Sequence, residues 1–285
     1  MSALPSSNSL RALARQCRAL FTLCLWCTVA IGSASVSAAP DAKPWALWDR
    51  SDENNSAAID HSAWQTILDD YVVTLADDRT TFRYQAVTEA HKTLLAGYLQ
   101  QLAGIDPRDF NRATQMAYWI NLYNALTIQV VLDHPSKNSI LRMGGGWLPR
   151  GPWDDDVIAV AGQKLTLNDI EHRILRPLWQ DHRIHFAVNC ASIGCPNLAD
   201  QAFSAAQLEQ QLQAAERAFL GHPRGLTMVD GELQLSSIFD WYMEDFGKSR
   251  EELLQYLASA SGQPALTDYD GDIDFQYDWD LNGAP

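Results

Sequence analysis

Tyr118-Trp-Ile-Asn-Leu-Tyr-Asn-Ala-Leu-Thr127 lies within a stretch, Arg108 to Leu132, where Ala113, Met116, Ala117, Ile120, Tyr123, Leu126, Val130 and Val131 leave hardly a polar face. A surface helix keeps one polar side and this one does not, so a central apolar helix near 108–132 is expected at the heart of the fold. Asp133-His134-Pro135 closes it, because proline disfavours helical geometry in the residue before it. Asn121 and Asn124, three apart, share one face of this apolar segment. Buried amides need partners. The pair is expected either to satisfy backbone groups in the core or to bind, by orienting an imidazole or donating to an oxyanion.

Upstream, Trp64, Ile67, Leu68, Tyr71 and Val72 give an amphipathic helix over 61–74, Thr81 to Tyr84 a short strand, and Leu94, Leu95, Tyr98, Leu99 and Leu102 a second helix over 88–102. Downstream, 157–160 and 163–166 flank an Ala161-Gly162 hairpin turn, and 226–229 and 232–235 flank Asp230-Gly231. Helical patterns run over 167–178, 204–220, 236–246 and 251–260; 184–188 reads as a buried strand and 273–279 as a terminal one. This mixture predicts an α+β fold, a single domain over 61–285 with one mixed sheet packed against several helices, after an irregular segment over 39–60.

Arg11, Arg15 and Arg18 precede an apolar run from Ala19 to Ile31, and Ser33 to Ala39 is small and polar: the pattern of a signal peptide over 1–38, cleaved after Ala38. The run falls short of the roughly 20 residues of a comfortable bilayer span. The processed chain is expected to be exported, periplasmic or extracellular, without stable membrane insertion. The whole chain has 21 basic and 35 acidic residues. The leader removes three of the former and none of the latter, leaving about −17. Such a surface, without a basic stripe, excludes nucleic acid as a partner; a small molecule or a peptide or protein is expected instead, with no cofactor.

Losing the leader discards Cys17, Cys24 and Cys27 and leaves two cysteines, in Arg183-Ile-His-Phe-Ala-Val-Asn-Cys-Ala-Ser-Ile-Gly-Cys-Pro196. An oxidising compartment and an even pair suggest a Cys190–Cys195 disulfide. A thiol active site is the second reading, with Cys195 or Cys190 as nucleophile and a histidine to lower its pKa. Strand alternation sets His185 opposite Cys190, which makes Cys195, beyond the Ser192-Ile-Gly194 turn, the easier partner for His185. His172, beside Glu171, is the alternative base, and Glu171 and Arg176 are expected as an ion pair or as substrate contacts. His185-x4-Cys190-x4-Cys195 lacks a tight Cys-x2-Cys element, so no metal is expected. Asp268, Asp270, Asp272 and Asp274 lack the glycine and glutamate of a calcium loop and read as a solvated strand edge.

Five ordered motifs carry a family resemblance: Tyr118 to Thr127, Leu167 to Arg176, His185 to Pro196, Ile238 to Tyr242 with Asp245-Phe246, and Tyr277-Asp-Trp279. Together, from about Trp64 to Asn282, they resemble the DUF547 domain. The resemblance implies no established reaction; plant members carrying the domain beside coiled-coil segments look more like scaffold or partner-binding proteins. A thiol-dependent hydrolase, transferase or redox enzyme and a non-catalytic binding module therefore both stand as expectations.

Overall fold

The structure, a computed structural model, describes residues 40–146 and 148–284. The expected leader over 1–38 lies outside the described residues. The central helix runs Arg112–Asp133, started by Asn111, whose side chain accepts the Thr114 N–H at 2.9 Å. Every residue from Thr114 to Ile128 is buried, as an all-round apolar surface requires. The helix Glu89–Ala103 packs on one side of it and the segment Asp169–Leu175 on another. A fully buried side chain such as Leu122 contributes roughly 1.5 to 3 kcal/mol over its exposed form.

The chain is α+β. Its strands form three small sheets: β1 (Val72–Thr74) with β2 (Thr80–Phe82), β3 (Ile158–Val160) with β4 (Gln163–Leu165), and β5 (Leu226–Val229), β6 (Glu232–Ser236) and β7 (Ile273–Gln276) in that order. The expected mixed sheet is the three-stranded one, antiparallel between β5 and β6 and parallel between β6 and β7, and two separate hairpins accompany it. Both turns read from the sequence are present, with positive φ at Ala161 (47°) and Gly162 (77°) and at Asp230 (53°) and Gly231 (90°). Strand β7 lies at a sheet edge and exposes Asp272 and Asp274 beside it, as a charged edge should. A second apolar cluster, with the Phe186 ring in contact with those of Phe219, Phe239 and Phe246, joins this sheet to the helix Arg250–Ser261.

Several segments differ from expectation: the helix expected over 61–74 ends at Tyr71, after which β1 begins, and the strand expected over 273–279 ends at Gln276. Residues 184–188 form no strand: Ile184–Ala187 is a short helix with every side chain buried, and only Val188 is extended. The helix expected over 167–178 is a π-helix, Asp169–Leu175, followed by one α-turn, Arg176–Trp179. The segment 236–246 divides into Ile238–Trp241 and Met243–Phe246.

After β7 the chain becomes a strap. The Gly194 and Ile193 N–H groups donate to the Asp278 and Asp280 carbonyls at 2.9 and 2.8 Å, and the Asn282 N–H donates to the Ala191 carbonyl at 2.9 Å. Further along, Phe82 N–H donates to Asn282 at 3.1 Å and Ala284 N–H to Phe82 at 3.0 Å, so the strap ties the cysteine loop to β2. Among the described residues no helix is long and apolar enough to cross a membrane.

Candidate functional site

The cysteine loop is built from the central helix outward. Asn124 donates its Nδ2–H to the Ala187 carbonyl at 3.0 Å and accepts the Asn189 N–H at 2.8 Å, fixing the chain on both sides of Val188. Asn189 in turn accepts the Ala191 N–H at 2.8 Å and donates to the Pro196 carbonyl at 2.6 Å, closing the loop on itself. Ala191 takes a positive φ of 61°, a left-handed conformation uncommon for a residue with a Cβ. Asn121 likewise satisfies backbone groups: it clamps Phe203 by two backbone bonds of 2.8 and 2.9 Å and takes no part in the loop.

Cys190 and Cys195 are both free thiols in the structure, without the expected bridge, yet they touch: the Cys190 N–H donates to Cys195 Sγ at 2.8 Å. Cys190 is half-buried and Cys195 is buried. Ser192 Oγ lies 3.2 Å and the Tyr277 hydroxyl 2.9 Å from Cys190 Sγ. Burial alone would raise the Cys190 pKa, but hydrogen bonds from Cys195, Ser192 and Tyr277 outweigh it and hold the thiol below its ordinary value. Burial and the Cys190 thiolate push Cys195 the other way. Negative charge therefore belongs on Cys190 and the proton on Cys195.

Beside the loop lies a buried cluster of acid and histidine. The wide turn of the π-helix and the α-turn after it carry Glu171, His172 and Arg176, all buried. Arg176 donates through Nε to Asp245 Oδ2 at 2.6 Å, through Nη2 to Glu244 at 3.2 Å and through Nη1 to the Pro40 carbonyl at 2.8 Å. His185 Nε2 meets the same Asp245 oxygen at 2.6 Å, and its Nδ1 lies 3.8 Å from Glu171 Oε1. The Tyr242 ring stacks on His185 at 4.2 Å and on His172 at 5.7 Å, with the Arg176 guanidinium 4.7 Å from its centre.

Burial lowers the pKa of His185 despite its bond to Asp245, so the imidazole is neutral and donates from Nε2. Asp245 resists burial through its bonds from His185 and Arg176 and is held at about 2. His172 is lowered by burial and by Arg176, whose Nη1 lies 3.1 Å from its Nδ1. Neither histidine directs a hydrogen bond to a thiol: the strand alternation that made Cys195 the easier partner for His185 is removed by the helix, and His172 meets Arg176 instead. Glu171 and Arg176 both belong to this buried cluster, but Arg176 pairs with Asp245 and Glu244 and not with Glu171. A cavity of about 430 Å³ opens on the cluster, lined by Arg176, Asp181, His182, Glu244 and Asp245. A larger groove of about 630 Å³, lined by His61, Gln65, Asp69 and Asp200, includes none of these residues.

Glu171 joins the two groups. Burial raises it to about 7, against the opposing pull of Arg176 and a hydrogen bond with Tyr123, and the Cys190 charge raises it further. A carboxyl raised on folding favours the native state fully at low pH, and that contribution is lost as pH rises from about 4.5 to about 7. The buried histidines act in the opposite sense over part of the same range. The informative quantity is therefore the difference between wild type and Glu171→Gln. Urea denaturation from pH 4.5 to 8 should show the variant gaining on the order of 3 kcal/mol relative to wild type as pH rises. A difference that does not change with pH would mean that Glu171 ionises as in the unfolded chain.

Five residues of this site did not stand out as site residues in the sequence: Tyr123, Ser192, Tyr242, Asp245 and Tyr277. All lie within the motifs that carry the resemblance, and the fold brings the five motifs to one place. A family model described as a protein of unknown function, DUF547, matches residues 107–220, and the resemblance is supported over that stretch. The first three motifs lie inside the match; those bearing Tyr242, Asp245 and Tyr277 lie beyond it. Neither the curated proteins nor the solved structures compared with this chain gave a match.

Proposed function

We propose that the loop from Cys190 to Cys195 is a dithiol redox centre, with Cys190 as the attacking thiolate and Cys195 as the resolving thiol. The observation that carries this is the contact of the pair: a half-exposed Cys190 with lowered pKa, and a buried Cys195 whose sulfur rests 2.8 Å from the Cys190 nitrogen. An attacking sulfur must be ionised and reachable, whereas a resolving sulfur needs only to reach its neighbour. In the first step Cys190 S⁻ attacks one sulfur of a substrate disulfide, forming a mixed disulfide and expelling the other sulfur as thiolate. Cys195 then loses its proton and attacks Cys190 Sγ, expelling the remaining substrate thiolate. The protein is oxidised by two electrons and the substrate disulfide reduced to two thiols. Export would place this pair where substrate disulfides persist.

Alkylation of the reduced, native protein tests the reading. Iodoacetamide in limiting amount should add one adduct, at Cys190, with a pH–rate inflection below the roughly 8.5 of an ordinary thiol. Cys190→Ser should take up none at Cys195 under the same conditions. No adduct, or a first adduct at Cys195, would overturn the assignment.

A further inference from the structure

The strap gives Tyr277 a closer relation to Cys190 than any local sequence pattern discloses. Residues 191, 193 and 194 each hydrogen-bond to strap backbone, and an isolated bridge pairs Ser192 with Leu281. The approach requires glycine at 194: a Cβ there would lie 2.8 Å from the Asp278 nitrogen and 3.0 Å from Tyr277 Cγ. The Tyr277 ring is held by Trp241 and Trp279, with centroids 4.8 and 4.6 Å away, and its hydroxyl ends 2.9 Å from Cys190 Sγ.

We propose that Tyr277 is a positioning residue of the thiol centre, its hydroxyl delivered to the Cys190 sulfur by the strap, so that residues 277–284 complete the site rather than merely close the fold. The proposal rests on the dithiol reading of Cys190. Burial, then the cysteine charges, keep the phenol protonated, so it donates. Other groups also face the thiols. Cys195 and Ser192 are in the loop itself, Tyr123 comes from the central helix and Glu171 from the π-helix. Tyr84 and Tyr242 lie within the Cys190 field, and Arg224 faces Cys195. Tyr277 differs from the more distant of these in meeting the sulfur directly and in coming from 87 residues away.

The test is the pH dependence of Cys190 alkylation in the reduced full-length protein, read at Cys190 by peptide mass. The comparison is between wild type, Tyr277→Phe and protein with a ring-fluorinated tyrosine at 277. Loss of one hydrogen bond to a charged sulfur should raise the inflection of Tyr277→Phe by about one unit. That is about tenfold less thiolate at a pH below both inflections, with a limiting rate at high pH that is no lower, since the more basic thiolate is the better nucleophile. The fluorinated phenol, a stronger donor of nearly the same shape, should shift the inflection downward, and it decides the matter if Tyr277→Phe does not fold. Unmoved inflections beside a wild type that inflects below about 8.5 would overturn the role of Tyr277 and leave the dithiol reading standing. A wild type that inflects at or above that value would overturn both.

Discussion

Replacing Asn124 with alanine is expected to cost about 2 to 5 kcal/mol, a large part of the stability of a domain this size. The amide makes two bonds, and its removal strands the buried Ala187 carbonyl and the buried Asn189 N–H together. Each buried group left unpaired costs about 1 to 3 kcal/mol, and the space of the lost amide adds to that. Urea denaturation measures it directly. The same variant should blunt Cys190 reactivity in whatever fraction stays folded, because Asn124 sets where the cysteine loop leaves the helix Ile184–Ala187. A loss below about 0.5 kcal/mol would show that water or a loop shift replaces both bonds.

Cys195→Ser should separate the two steps of the proposed chemistry. With the resolving sulfur gone, Cys190 that has attacked a small disulfide such as oxidised glutathione has no internal thiol to release it. The mixed disulfide should then accumulate toward one per chain, whereas wild type should pass through it to an internal bridge two hydrogens lighter than the dithiol. Intact mass distinguishes the two products, and Cys190→Ser should give neither. If Cys195→Ser gathered no more adduct than wild type, Cys195 would not be the resolving residue. If wild type formed its bridge and the only consequence were a higher melting temperature, the pair would be a staple.

Long, strongly patterned elements were legible in the sequence and short apolar ones were not. The central helix was expected near 108–132 and spans Arg112–Asp133 because its apolar run is too long for a strand and proline marks its end. The hairpin at Asp230-Gly231 was equally legible, since its turn needs two residues that tolerate positive φ. Ile184 to Val188 misled because four apolar residues around one histidine fit a buried strand or a buried helical turn equally well. Neighbours decide it: the Arg183 N–H bonds to Asp181 Oδ1 at 3.0 Å, and the chain turns from there into the helix. That one difference moved His185 from the thiols to Asp245. The cysteine segment was found, but Tyr277 and Asp245, the hydrogen-bond partners of Cys190 and His185, were not, because both reach it only through the tertiary fold.

The strap also governs when this site comes into being. Its bond from Tyr84 to Asn282 joins residues 198 apart, and the one between Tyr277 and Cys190 joins residues 87 apart. Loops of that length must close before such contacts return any stabilisation, whereas the central helix and the hairpins need only neighbouring residues. Cys190 therefore spends the early life of a folding chain without the Tyr277 hydroxyl. The part of its acidity that Tyr277 supplies arises only with the docking of the distant end, whereas the parts from Cys195 and Ser192 need only the loop itself.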